Sequence, residues 1–381
     1  MNILIVHNFY NFSGGEDMVV TNEFNALKKT NNNIYTYYRN SSEINSLFRL
    51  LFSFLFSIKT FIEIRKIILK NNIDLIHLHN IFPLISPSIY FLIKLYKLKT
   101  VQSVHNYKFF CLNGLFLRNG MICTKCVSKL PFYGILYKCY KNSYFFSFAY
   151  FCLSFLFLFK PNKLPIDKFL VFNNYVKNIF IKSGVDESKL ELKNNFIPQN
   201  KMVNFTKIAP GEDFLYVGRL SKEKGIFFLL DCFNNHKNKH KLNIIGDTSS
   251  IKNLNQYFSK NINFHGAMNN DKVYKFMQKS RALILPSICL EGLPMVVIES
   301  LSQGLPVIMP DHDPLLEMFS GLNACYFYKS NNINDLMKVL NQCISDSNFY
   351  TKKSKNAILA FRRHYSEKVN INNLIRIYNS I

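Results

Sequence analysis

The chain has 381 residues, 48% of them hydrophobic, with 47 Lys and Arg against 24 Asp and Glu, a formal net charge of +23. A single core rarely grows past about 250–300 residues, so the length argues against one domain and for two. Met1 to Val6 lack the basic flank of a signal peptide, so an intracellular protein is expected, with its nine cysteines mostly reduced and no disulfide framework.

NILIV (Asn2 to Val6) reads as a first strand. The loop HNFYNFSGGED follows, with Gly14 and Gly15 where absent side chains let backbone approach a ligand closely, and then a helix from Met18 to Leu27. IDLIHLHN (Ile73 to Asn80) and TVQSVHN (Thr100 to Asn106) are further strands, each ending in His and Asn, with a helix from about Ser86 to Tyr96 between them. KFLVFN (Lys168 to Asn173) is another strand, and YVKNIFIKSG (Tyr175 to Gly184) a helix closed by its glycine. NNFIPQNKM (Asn194 to Met202) lacks helical periodicity and reads as a linker, dividing domains at 1–197 and 198–381. The second half restarts with FLYVG, the helix GIFFLLDCF, the strands KLNIIG and INFHG, and the helix DKVYKFMQKS. A strand at PVIMP and an amphipathic helix within 366–381 follow. Strands and helices alternating at these lengths mean parallel sheets, with ligands at the carboxyl ends of the strands.

Between Asp74 and Asp167 there are eleven Lys or Arg and no acidic residue. Nucleic acid, an anionic membrane face or a phosphorylated substrate would each satisfy that charge, but no RNA- or DNA-binding module is recognisable. Cys111, Cys123, Cys126 and Cys139, in the loop region 106–140, have the spacing C-x11-C-x2-C-x12-C. It suits a structural zinc held by four thiolates as well as it suits a metal-free thiol loop. Residues 144–159 are apolar and flanked by Lys138, Lys141, Lys160 and Lys163. As a helix they reach about 24 Å, short of the roughly 30 Å bilayer core, so a buried helix or one lying in a membrane interface is expected.

ALILPSICLEGLPMVVIESLSQGLP, from Ala282 to Pro306, places Glu291 and Glu299 eight apart around Gly292, Leu293 and Pro294. Ala282 to Leu285 reads as a buried parallel strand, and Pro294 suits the first turn of a helix through Met295 and Glu299. The free N–H groups at that helix start favour an anion such as a phosphate. Upstream, GRLSKEKG supplies Arg219 and Lys224 after a strand end, fixed cations of the kind that stabilise a departing diphosphate. Asp311, His312 and Asp313 read as a turn, and His77 and His79 as structural residues sharing one strand face.

The glycine loop, the HN strand ends, GRLSKEKG and EGLPMVVIE occur in order over nearly the whole chain. They resemble the signature of retaining glycosyltransferases of family 4, including bacterial enzymes of O-antigen and capsule synthesis. The resemblance implies the GT-B fold, two Rossmann-like domains with parallel sheets facing a central cleft, and a last helix that crosses back to the first domain. It implies a UDP- or GDP-sugar donor with its diphosphate at Arg219 and Lys224 and near Gly14 and Gly15. The donor sugar would lie at Glu291 and the Gly292–Met295 stretch, and the ribose at Glu299. His105, in SVHNYK, matches a histidine near the donor sugar and acceptor, and catalysis needs no metal. HNYKFFCLNGLFLRNGMICTKC resembles a cysteine-bearing insertion in such enzymes. The acceptor implied is a growing glycan on a polyprenyl diphosphate, reached by an enzyme peripheral to the inner face of the cytoplasmic membrane. Nucleic acid is not an expected partner. A sugar epimerase or phosphorylase of the same fold is the enzymatic alternative, against which the paired glutamates with G-L-P argue.

Overall fold

A computed structural model of the chain describes all residues except 12–13, 44–55, 158–159, 199–210, 236–239, 252–253, 258 and 346. The chain divides into two compact units, Met1–Phe116 with Thr124–Asn195 and Glu367–Ile381, and Leu117–Cys123 with Phe196–Ser366.

In the first unit the order is β1 (Asn2–Phe9), α1 (Gly15–Leu27), β2 (Asn33–Asn40), α2 (Ile58–Asn71), β3 (Leu75–Leu78), α3 (Ser88–Tyr96) and β4 (Lys99–Ser103). After a short hairpin that groups with the second unit, β5 (Leu117–Arg118) and β6 (Met121–Ile122), the first unit continues with α4 (Phe132–Leu136), α5 (Tyr144–Phe157), β7 (Lys168–Val171), α6 (Asn174–Lys182) and β8 (Leu190–Leu192). Every ladder of the six-stranded sheet β2-β1-β3-β4-β7-β8 is parallel. Ile3, Leu4, Ile5 and Val6 are all fully buried, as a strand covered by helices on both faces must be. Side-chain caps fix the helix starts: Ser57 Oγ accepts from Thr60 N at 3.3 Å, and Asn173 Oδ1 from Val176 N at 2.8 Å.

The second unit repeats the scheme with β9 (Phe214–Val217), α7 (Ile226–Asn235), β10 (Leu242–Ile245), β11 (Ile262–Phe264), α8 (Asn270–Lys279), β12 (Ala282–Ile284), α9 (Met295–Ser302) and β13 (Val307–Pro310). It continues with α10 (Asp313–Phe319), β14 (Cys325–Tyr328), α11 (Ile333–Ser345) and α12 (Ser347–Ala360). Its sheet, β11-β10-β9-β12-β13-β14, is also parallel throughout. Phe214, Leu229, Leu230, Phe233, Ile244 and Leu340 form its core, each such side chain stabilising the fold by about 1.5–3 kcal/mol when fully buried. The terminal helix α13 (Glu367–Asn379) groups with the first unit, where Tyr378 is fully buried.

Several expected boundaries shift. α1 begins at Gly15, three residues before Met18, because the Asp17 carboxylate accepts from Gly14 N at 3.2 Å and anchors the first turn earlier. Gly14 is the N-cap at φ −125°, extended backbone open to any residue, and a Cβ there would meet nothing within 4 Å. Pro294 is likewise the N-cap of α9 and not part of its first turn, at φ −66° and ψ 119°. Asp313 opens α10 with His312 as its N-cap, so the 311–313 segment is a helix start and not a free turn. Of the expected linker, Phe196 and Ile197 are buried, and 199–202 lie outside the described residues.

Candidate active site

Both sheets reverse their strand order beside their first strand, between β1 and β3 and between β9 and β12. In open parallel sheets the crevice beyond such a switch point is where ligands bind. In the second unit the two loops there are GRLSKEKG after β9 and the loop leading from β12 to α9.

These loops are stitched to one another. Glu223 O accepts from Ile288 N at 3.1 Å and Cys289 N at 3.4 Å. Gly225 has φ +71°, and a Cβ there would lie 1.8 Å from Pro286 O, so only glycine lets the two backbones approach this closely. Lys224 Nζ thereby reaches Glu291 Oε1 at 2.7 Å, and Ser287 Oγ donates to the same oxygen at 2.5 Å. Ser287 is itself held from below: its carbonyl accepts from His312 Nε2 at 3.1 Å. Burial pushes the Glu291 carboxyl up, but the Lys224 charge and the hydrogen bonds from Lys224 and Ser287 outweigh it and hold it below the usual range. Glu291 is therefore a fixed carboxylate.

Glu299 lies one turn into α9 and is 6% exposed. Burial alone pushes it up to about 7, and its carboxylate has no hydrogen-bond partner among the described residues. A buried acceptor of this kind is expensive until a donor reaches it. Arg219 differs: its side chain is 69% exposed, with Nη2 3.5 Å from Glu223 Oε1, and it is free to swing toward an anion. Gly292, Leu293 and Pro294 form the turn between Glu291 and Met295, and Leu293 and Met295 are both 7% exposed. The structure thus brings Lys224, Glu291, Ser287 and His312 together. Ser287 carries no role in the sequence and His312 reads there as part of a turn, since only the fold sets either beside Glu291.

In the first unit, His105 lines a small cavity of about 40 Å³ with Glu16, His79, Asn80, Asn106 and Lys108 among its walls. His105 Nε2 lies 2.9 Å from His79 Nδ1, and the rings stack at 5.2 Å. Burial, and then the neighbouring histidines and Lys193, hold both imidazoles well below their ordinary pKa, so they are neutral near pH 7. Burial raises Glu16, whose Oε2 accepts from Tyr10 OH at 3.1 Å while Oε1 is buried without a partner. Glu16 and Lys108 carry no role in the sequence reading, which follows the glycines and His105.

Cys111 is buried with its thiol donating to Asn113 Oδ1 at 3.0 Å, and Cys123, Cys126 and Cys139 are half-buried. Among the described residues, the group whose donor atoms fall within 4.8 Å of one another is Glu23, His77 and His79, and it contains none of these thiols.

The lysine-flanked apolar stretch is the helix α5, with residues 158–159 outside the described residues. One face packs inward through Ser147, Tyr150, Phe151 and Ser154. The other exposes Phe145, Phe148, Cys152 and Phe155, spaced as one helical stripe. Phe132 and Leu136 of α4 are 58% and 60% exposed, and Lys138 Nζ stands 4.4 Å over the Tyr144 ring. Among the described residues no helix is long and apolar enough to cross a membrane.

Comparison with known proteins agrees with this geometry. An uncharacterized glycosyltransferase of Methanocaldococcus jannaschii is 27% identical over 364 residues, 91% of this chain and 89% of its own. The lipopolysaccharide 1,6-galactosyltransferase of Escherichia coli K12 is 29% identical over 155 residues, 38% of this chain and 43% of its own. Among solved structures, HepE of Anabaena in complex with UDP-glucose superposes with a TM-score of 0.72 at 13% identity, covering 100% of both chains. The fold is GT-B. Residues 200–360, the stretch that carries Lys224, Glu291 and Glu299, match the family model described as Glycosyl transferases group 1.

Proposed function

We propose that the chain is a retaining, family 4-like glycosyltransferase that moves a hexose from a nucleotide diphosphate sugar to a growing bacterial surface glycan. The observation that carries this reading is the Lys224–Glu291 pair at the β9/β12 switch point. It presents a cation and a fixed carboxylate from two loops that close backbone contacts hold together.

Breaking a sugar–diphosphate bond builds negative charge on the leaving oxygens, and fixed cations beside them lower that barrier. Lys224 and the exposed Arg219 are the groups for this task, with the free N–H groups of Met295 and Val296 at the start of α9. Glu291, held ionised, accepts donor sugar hydroxyls and steadies positive charge at the anomeric carbon. Glu299 accepts the ribose hydroxyls, which satisfies its otherwise unpaired carboxylate. The leaving diphosphate itself takes the acceptor proton in a front-face displacement, and the chemistry needs no metal ion.

The HepE neighbour is a complex with UDP-glucose, which puts UDP-sugars first among donors to test and GDP-sugars second. In the first unit, His105 and the cavity beside it border the acceptor. The acceptor is a polyprenyl-diphosphate-linked glycan, and the aromatic stripe of α5 with its lysine flanks rests on an anionic membrane surface, the inner face of the cytoplasmic membrane. A cytoplasmic, peripheral enzyme of O-antigen or capsule assembly follows.

The test is a screen of nucleotide sugars for thermal protection, since a bound donor raises apparent stability by mass action. Transfer assays with the protecting donor, and NMR of the product's anomeric configuration, complete it. Protection by none of the UDP- or GDP-sugars would remove the donor assignment, and an inverted product would remove retention.

A further inference from the structure

The first unit buries an ion pair that the transfer chemistry does not use. Glu23 on α1 is fully buried, and its Oε1 holds Lys193 Nζ, itself 1% exposed. The other oxygen, Oε2, has no hydrogen-bond partner, and neither has His79 Nε2, 3.6 Å away. Two buried polar atoms left facing each other are costly unless one carries a proton for the other. A carboxylate cannot supply it, so the proton belongs on His79 Nε2. A movement of a few tenths of an ångström then closes a charge-assisted hydrogen bond. The opposite tautomer would set a lone pair against a carboxylate in a dry interior.

That assignment propagates. With its proton on Nε2, His79 offers a lone pair at Nδ1, and the atom 2.9 Å from it is His105 Nε2. His105 must therefore donate from Nε2, which leaves its own Nδ1 as a lone pair. Nδ1 has no hydrogen-bond partner among the described residues, and the His105 ring lines the cavity shared with Glu16, Asn106 and Lys108. The nearby histidines do not compete. His77 Nε2 pairs with Ser103 Oγ at 2.8 Å and its Nδ1 with Tyr378 OH at 2.7 Å. His7 Nε2 pairs with Asp17 at 2.8 Å, and its Nδ1 accepts from Asn80 N. Glu23, His77 and His79 are close enough to hold a metal. Lys193, however, already supplies the cation for Glu23, and a divalent ion beside a buried ammonium would be repelled.

We infer that Glu23 and His79 are positioning residues for sugar transfer: Glu23 orients His79, and His79 holds His105 as the Nε2–H tautomer, keeping His105 Nδ1 as acceptor for a substrate hydroxyl. The inference rests on the proposed place of His105 beside the reacting groups. Both rings being neutral is what a chain of single-proton tautomers requires. The arrangement follows the logic by which a buried carboxylate fixes the tautomer of a working histidine.

The direct test is long-range proton–nitrogen NMR of the imidazoles in the full chain at pH 7. His79→Asn and His105→Gln assign the signals. Both rings are expected with protonated Nε2 and bare Nδ1; a protonated Nδ1 on either ring overturns the relay. In transfer assays, His79→Leu should lower kcat by about 10- to 100-fold with KM for the nucleotide sugar unchanged. In His79→Asn the side-chain oxygen replaces Nδ1 and should restore most of kcat. Unchanged kcat in His79→Leu overturns the positioning role. Because Glu23→Gln would leave Lys193 buried and unpaired, Glu23 is tested as Glu23→Met with Lys193→Met. Wild-type kcat in that pair removes Glu23 from the relay. Full activity of His105→Ala would instead refute the role of His105 itself, an outcome the NMR measurement separates from the relay.

Discussion

Lys224 and Glu291 lie 67 positions apart and meet at 2.7 Å, and the carboxylate is kept ionised by the cation it contacts. Lys224→Met should lower transfer by at least about 100-fold, the scale of losing one group that stabilises developing charge. It also strands Glu291, and unfolding titrations should show a loss of about 1–3 kcal/mol. Lys224→Met with Glu291→Gln should regain stability without regaining activity. Wild-type transfer in the single variant would remove the site assignment.

Glu299 should make stability depend on pH. Its carboxyl ionises at about 7 in the folded chain against 4.5 for the ordinary group. Below about pH 4.5 both states are protonated and the cost of burying the charge vanishes. As pH rises toward 7 the unfolded chain ionises first, so native stability falls, by up to about 3 kcal/mol. Glu299→Gln lacks this dependence, and its Tm relative to wild type should rise from pH 5 to pH 8. If Glu299 takes ribose hydroxyls, nucleotide binding near pH 6.5 should release protons in wild type and not in the variant, as calorimetry in two buffers would show.

Gly225 permits the loop contact that brings Lys224 to Glu291. Gly225→Ala places a Cβ against Pro286 O at a positive φ, and the cost should exceed about 1 kcal/mol. Nucleotide affinity should fall with it, because the two loops separate. Calorimetric binding of UDP and GDP would measure this, and unchanged stability and affinity would refute the account.

Phe145→Glu with Phe148→Glu should weaken co-sedimentation with vesicles containing anionic lipid and leave Tm within about 1 °C, since both side chains are more than half exposed. Added salt should weaken wild-type binding as well. Equal binding to neutral and anionic vesicles would contradict a role for the lysines.

If the four thiolates hold a structural zinc, Cys123→Ser with Cys126→Ser releases it, as elemental analysis of the purified variant would show. Wild-type protein purified with no metal would reject the four-thiolate reading and leave a metal-free thiol loop.

The alternation of apolar strands and capped helices was legible because burial on both faces of a parallel sheet writes continuous runs such as Ile3 to Val6. Helix starts were less legible. The first turn of α1 is anchored by the Asp17 carboxylate on Gly14 N, a contact that hydrophobic periodicity does not record. Spacing with G-L-P marked Glu291 and Glu299, and the basic loop marked Arg219 and Lys224. It did not mark Ser287 or His312, which are ordinary residues until their strands are neighbours.

The sequence by itself determined the two repeated strand and helix patterns and the residue types at strand ends, because these follow from local periodicity and chain direction. Only the tertiary structure decided which of those residues meet: Lys224 with Glu291, His79 with His105, Glu23 with Lys193. Strand order and backbone approach set those pairings, and the ionisation of each buried partner depends on the neighbour it is given.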